Sequence, residues 1–248
     1  MQYEQLITQQ ICPLSGELNE RSSIKLQGYH QLICLVAENE LARCGCSIAE
    51  TLAQDYAWAL VSITADVIAP IKDCSVRPAR TWSSEVTLPY ARREVEVCNA
   101  DGTTAFNASL FSVPFSVSER TMLRSFDPAR MESLASCERI LIPDARRRMR
   151  DSAEGFVKVC ERRVQPSDID ALGHMNNCRY GAYIYDALTP EQRELLDKPF
   201  RYVIDFRMQL SPDAAVLIER RDDENEVTVR GTDVESGKVS FTAKLSAL

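Results

Sequence analysis

Residues 24–45 read IKLQGYHQLICLVAENELARCG, and residues 156–188 read FVKVCERRVQPSDIDALGHMNNCRYGAYIYDAL. Both stretches run from an extended segment, through a glycine and a histidine, into an apolar helical pattern. In the first, Gly28 and His30 lead into a helix ending near Gly45. In the second, Gly173 and His174 lead into a pattern that sets Ile184, Ala187 and Leu188 at core-facing spacings. The chain has only two histidines, and His30 reads as the first-half counterpart of His174.

Strand-like segments bounded by turn residues follow each helix. After the first come AWALVSITADVI, RTWSSEVTL, RREVEVCNADG and TTAFNASLFSVPF, with Asn99, Asp101 and Gly102 suggesting a hairpin loop. After the second come RYVIDFRMQL, AAVLIERR, NEVTVRGTD and KVSFTAKLSAL, with turns at Asp222 to Asn225 and at Ser236 to Gly237. Each half reads strand, long helix, antiparallel strands, which is an α+β plan with one helix buried against one sheet face. Residues 1–118 and 156–248 form the two halves. Residues 119–155, with Pro128, Pro143 and many charges, form a linker with room for a short helix near Met131 to Cys137.

A chain of 248 residues can bury one large core or two of about 120 residues each. Hydrophobic residues at 45% and charged residues at 26% exclude disordered and fibrous classes. The net charge of −7 argues against a broad nucleic-acid surface. One local basic cluster stands out, Arg146, Arg147, Arg148 and Arg150, with Arg162 and Arg163 soon after. It reads either as a solvated linker or as a dock for an acidic partner. Nine cysteines with no secretory leader read as reduced thiols in the cytoplasm, and the Cys44–Cys46 spacing lacks the second pair that a zinc site needs. The apolar stretch from Tyr56 to Ile71 carries Asp66 and is too short to span a bilayer, so it reads as a strand.

The chemistry concentrates in residues 167–180, SDIDALGHMNNCRY. Asp, Gly and Asn also build ordinary turns and caps. His174 tips the balance, because an imidazole beside Asp168 and Asp170, next to a helix start, suits acid–base work. Cys178, four residues on, is a weaker candidate for an imidazole-activated thiolate, since a cysteine in a helix is usually a small apolar residue. His30 lacks flanking acids and reads as a buried or capping histidine. Trp58 and Trp82 read as core or as the lining of an acyl tunnel.

The order strand, helix, strands, with Asp-x-Asp-x-x-Gly-His-x-Asn-Asn at positions 168–177, resembles the hot dog fold thioesterases. Two copies in one chain narrow the resemblance to the bacterial acyl-acyl carrier protein thioesterases, over nearly the whole length. That resemblance implies two tandem hot dog domains, the first contributing much of the acyl pocket and the second carrying the catalytic Asp170 and His174. It implies substrate contacts from Gly173, Asn176, Asn177 and Gln209, no cofactor and no metal, and acyl carrier protein as thioester donor, docking through Arg146, Arg147, Arg148 and Arg150. A monomer or a homodimer would satisfy the exposed sheet edges.

The chain departs from the family pattern at three places. Leu172 stands where the family has an asparagine, Gln209 where it has the general-base glutamate, and Leu210 where it often has a cysteine. Acyl-coenzyme A thioesterases of the same fold share the motif and work from the aspartate without that asparagine. The expected reaction is therefore hydrolysis of a fatty acyl thioester. Amides at the helix start after Gly173 would polarise its oxygen, Asp170 would serve as base or nucleophile, and His174 would orient or protonate. The alternatives are an acyl-coenzyme A thioesterase and an acyl-binding protein whose catalytic set has decayed. A hot dog dehydratase fits less well, because its His and Glu pair is missing.

Overall fold

Helix α1, Leu26–Arg43, buries Leu26, Tyr29, Leu32, Ile33, Val36, Ala37 and Glu40, spaced by threes and fours so that they share a face. It closes where the amides of Gly45 and Cys46 turn back onto the carbonyls of Ala42 and Leu41. Gly28 and His30 lie inside this helix rather than ahead of it. The computed structural model describes residues 2–87, 89–124, 136–149 and 154–248. The short helix expected near 131–137 falls mainly outside these residues, as does Arg150.

Around α1 lie β1 (Gln9–Ile11), α2 (Ile48–Leu52), β2 (Tyr56–Val67), β3 (Arg77–Thr87), β4 (Tyr90–Cys98), β5 (Thr104–Ser116) and β6 (Thr121–Met122). Then follow β7 (Val157–Arg163), α3 (Arg179–Ala187), α4 (Pro190–Arg193), β8 (Phe200–Phe206), β9 (Ala215–Asp222), β10 (Glu226–Asp233) and β11 (Val239–Ala247). The strands make one antiparallel sheet in the order β1-β3-β4-β5-β2-β8-β11-β10-β9-β7, with β6 added to β5. Read from the centre outward, the order is the same in either direction: β2 and β8 meet, and β5-β4-β3-β1 on one side answers β11-β10-β9-β7 on the other. At the seam Ser62 stands opposite Asp205 and Val67 opposite Phe200. Arg201 on β8 donates two hydrogen bonds to Asp66 on β2, 2.7 and 2.8 Å long.

The hydrophobic core runs unbroken through both halves, from Val36 and Ile63 to Ile204 and Phe241. Helices α1 and α3 touch closely because Gly181 has no side chain: a Cβ there would sit 2.7 Å from the Gln27 backbone nitrogen. Residues 136–149 cross the sheet as a strap instead of hanging free. The Ile142 carbonyl accepts from Arg92, the Arg139 carbonyl from Trp82, and the Arg146 carbonyl from Ser62, while the Met149 amide donates to Asp205. Trp82 is thus core under the strap, fully buried. Strand β8 stops at Phe206, short of the expected RYVIDFRMQL, because the Arg207 and Met208 amides both turn to the Ser240 carbonyl.

Candidate active site

The motif residues fold as a tight loop ahead of α3. Ile169 bridges Met175 across it. The Asp170 amide donates to the His174 carbonyl and the Gly173 amide to the Asp170 carbonyl, each at 3.0 Å. Gly173 sits at φ +79°, a left-handed conformation that a glycine adopts without strain. Two further bonds pin the loop to its surroundings: the Met175 amide to the Leu210 carbonyl and the Asn176 amide to the Asp168 carbonyl.

Inside the loop, the Asp170 carboxylate accepts the Leu172 amide at 2.9 Å and the Asn176 side-chain amide at 3.4 Å. His174 Nδ1 stands 4.0 Å from Asp170 Oδ1 and 3.4 Å from the Met175 carbonyl. Both side chains keep about a fifth of their surface, 22% for His174 and 23% for Asp170, so a substrate can reach them. Asp168 belongs to the support of the site. Its carboxylate caps the Gln165 amide, accepts from the Tyr183 hydroxyl and pairs with Arg179.

Helix α3 begins at Arg179, six residues after Gly173, so the expected donors at its first turn need correction. The Cys178 amide is held by the Asn176 side chain, the Arg179 amide by the Asn176 carbonyl and the Gly181 amide by the Cys178 carbonyl. Among the described residues, the His174 and Asn177 amides carry no such bond. His174 also lies outside the helix, so it shares no helix face with Cys178, whose thiol meets Cys34 on α1. Gln209 is exposed beyond the end of β8.

A cavity of about 140 Å³ opens beside Asn177 and runs along α1 past Cys34, Ala37, Glu38 and Leu41, with Trp58 and Leu60 of β2 on another wall. Glu38 is the residue that sequence reasoning missed. It faces out from α1 in the first half, yet crowding and then the Asp170 charge raise its pKa, so Glu38 feels the carboxylate of the other half. Only the helical spacing of Cys34, Ala37, Glu38 and Leu41 could have put it on one face with the cavity residues.

His30 is fully buried one layer beneath. Its Nε2 lies 2.9 Å from the Tyr202 hydroxyl and its Nδ1 3.3 Å from the Asn177 carbonyl. Burial holds its pKa down at about 4, leaving one ring proton. A carbonyl can only accept, which puts that proton on Nδ1 and makes Tyr202 the donor to Nε2. His30 thereby fixes the Asn177 peptide. It is no counterpart of His174, since the equivalent loop in the first half carries Ser23 in that place: the Asn19 amide donates to the Ser23 carbonyl, and Leu18 bridges Ile24.

Comparison with known proteins meets this geometry at both scales. Residues 153–245 match the family model for the acyl-ACP thioesterase C-terminal domain. An acyl-ACP thioesterase from Bacteroides thetaiotaomicron is similar in structure, with a TM-score of 0.81 at 19% identity over 98% of each chain. A 12:0-ACP thioesterase from Umbellularia californica reaches 0.82 at 13% identity, over 97% of this chain and 96% of its own. No curated protein matches the chain by sequence. Residues 153–245 thus match the acyl-ACP thioesterase C-terminal domain model, and the chain as a whole shares the hot dog fold of these two structures.

Proposed function

We propose that the protein hydrolyses fatty acyl thioesters carried on acyl carrier protein, releasing free fatty acid and the carrier thiol. The observation that carries this reading is the pairing of Asp170 and His174, 4.0 Å apart in an accessible loop, with a cavity that starts at Asn177 and continues along α1. The thioester carbonyl would lie at Asn177 and the acyl chain in the cavity. The Asn177 and His174 amides would take up the developing oxyanion, an interaction worth about 3 to 4 kcal/mol per donor in other hydrolases.

A water then attacks the carbonyl carbon. Asp170 takes its proton and passes it to Nδ1 of His174, which faces it, as Nε2 gives its own proton to the departing sulfur. Gln209 can hold a water but cannot accept its proton. Glu38, a carboxylate at the cavity mouth, is the second base in reach of this water.

The mirrored strand order supports reading residues 1–118 and 156–248 as two hot dog domains, with 119–155 between them. In this reading the first domain supplies the acyl wall and the second the catalytic loop. Arg146 and Arg148 are exposed on the strap and Arg147 is partly buried beside Glu85, so this stretch offers its charge to an acidic carrier, as does Arg150 by sequence. No helix of the described residues is long and apolar enough to cross a membrane, and the cytoplasm, where acyl carriers work, is the proposed location.

The test is a panel of acyl carrier protein and coenzyme A thioesters, read as thiol release, with the wild type, Glu38→Gln and Gln209→Glu. Carrier thioesters should turn over faster than coenzyme A thioesters. Glu38→Gln should slow the reaction at least tenfold, and Gln209→Glu should restore it in that background. An unreactive wild type, with bound thioester surviving long incubation, would leave an acyl-binding protein instead.

A further inference from the structure

Strand β4 turns Ala91, Arg93, Val95 and Val97 to the face packed against α1, since alternate residues of a strand share a side. Val95 and Val97 are fully buried there, as core residues should be. Arg93 is the exception in an apolar row. It sits between Ser83 of β3 and Leu110 of β5, and all three line the cavity.

Its neighbour on the strand shows what a satisfied buried arginine looks like. Arg92 pairs with Glu94 at 2.6 Å and donates to Ser109 and to the Ile142 carbonyl. Arg93 has a single hydrogen bond among the described residues, a 3.4 Å contact to Thr81 Oγ1, and no ion pair. The charges that act on it are more distant, Glu40 first and then Cys44 and Cys46, all at the far end of α1. Burial lowers its pKa from the usual guanidinium value. Arg93 keeps part of its surface, so its unused donors stay open to the cavity, and a group that packs against them must bring an acceptor.

The cavity sets the size of that supplier. At about 140 Å³ it matches an apolar cavity of roughly 150 Å³ that accepts benzene, which is room for about six carbons. Its wall along α1 runs from Cys34, beside Cys178, to Leu41, and these eight residues span roughly 10 Å at a helical rise of about 1.5 Å. Glu38, the acid on this wall, forms no ion pair with Arg93 among the described residues, so the arginine is open to a ligand.

We propose that this cavity takes a short acyl thioester, of about six carbons, whose far end carries a carboxylate received by Arg93. This rests on the thioesterase reading and adds its substrate class. A guanidinium has only donors and matches a carboxylate bidentately, whereas a methyl-ended chain would bury itself against an unpaired charge.

The experiment compares adipoyl, hexanoyl and palmitoyl thioesters of acyl carrier protein, together with the affinities of the uncleavable amide analogues of adipoyl- and hexanoyl-pantetheine. The wild type should show at least tenfold higher kcat/KM for adipoyl than for hexanoyl, mainly through KM, and palmitoyl should be the slowest. Arg93→Met should reverse the preference between the two six-carbon chains, and Arg93→Lys should retain part of it. Equal or better use of palmitoyl or hexanoyl by the wild type would overturn the inference while leaving the hydrolase standing. If no thioester is cleaved, the catalytic reading fails, and the amide affinities still decide: selective binding of the adipoyl amide supports the Arg93 site, and equal affinities overturn it.

Discussion

The loops at residues 15–25 and 166–176 have the same backbone and different side chains. Each begins with a single turn of 3-10 helix, Ser15–Glu17 and Pro166–Asp168. In the first, the Asn19 side chain accepts the Arg21 amide, Ser22 takes φ +61°, and the Ile24 and Lys25 amides go to the carbonyls of Ile71 and Glu17. In the second, the Asp170 side chain accepts the Leu172 amide, Gly173 takes φ +79°, and the Met175 and Asn176 amides go to Leu210 and Asp168. Asn19, Ser22 and Ser23 thus hold the places of Asp170, Gly173 and His174. The first loop is also plugged: Asp197, from the other half, accepts hydrogen bonds from Ser23 and Arg21. The backbone therefore builds both loops alike, and three side chains set apart the one proposed to do chemistry.

The sharpest way to break this comparison is to exchange its acids. Asp170→Asn keeps an acceptor for the Leu172 amide but cannot take a proton, and kcat/KM should fall by about a hundredfold to ten-thousandfold with an unchanged melting temperature. The matching exchange, Asn19→Asp, should leave the rate as it is, because a carboxylate there has no imidazole beside it and Asp197 occupies the site. Thiol-release assays on both variants decide. A faster Asn19→Asp enzyme, or an unaffected Asp170→Asn enzyme, would mean that the two loops are not divided in this way.

Next in size is the acid sensitivity of the contact under the working loop. Folded His30 takes its proton only near pH 4, whereas the unfolded chain takes it near 6.5. Between those values the unfolded state binds more protons, so stability falls as pH drops from about 6.5 to 4, by up to roughly 3 kcal/mol. Urea unfolding at pH 7 and pH 4.5 should show this loss, and His30→Gln should flatten the slope over that window. Among the described residues no histidine supports the first-half loop in this way, so an unchanged slope would remove His30 from the account of how Asn177 is held.

The fold was legible because it is written in periodicities. Both helices and the long strands lie near where apolar spacing and turn residues put them, the helix starts and the end of β8 apart, and the repeated order of segments carries over into the mirrored sheet. The closeness of Asp170 and His174 was legible because acids, glycine and histidine cluster within a few residues. What stayed hidden depends on contacts distant in sequence. Matching histidine to histidine paired His30 with His174, but the true correspondence runs through backbone bonds that a serine can also make. Nothing in the sequence set Glu38 or Arg93 apart, since only packing places both on one cavity.

Smaller effects come from the left-handed position in each loop. Gly173 adopts φ +79° with open space where a Cβ would go, so Gly173→Ala should cost only the backbone preference, about 1 kcal/mol. Ser22 carries that strain already at φ +61°. Ser22→Gly should gain somewhat less than about 1 kcal/mol, since the freed glycine also loosens the unfolded chain. Opposite shifts of the urea midpoint for the two variants would confirm a shared loop geometry, and shifts of the same sign would refute it.

The smallest expected effect belongs to Cys178. It stands at the N-cap of α3 with its thiol against Cys34, whose own pKa is pushed well up, first by that hydrogen bond and then by burial. A thiolate nucleophile needs a cation or an unshielded helix end to draw its pKa down. Here the nearest partner is another thiol, and His174 lies in the loop, turned to Asp170. Cys178→Ala should therefore keep kcat within about twofold, a change smaller than that from losing any general acid or base. A collapse of turnover in this variant, with the fold intact by circular dichroism, would move the nucleophile from water to sulfur and leave Asp170 orienting His174 instead of activating the attack.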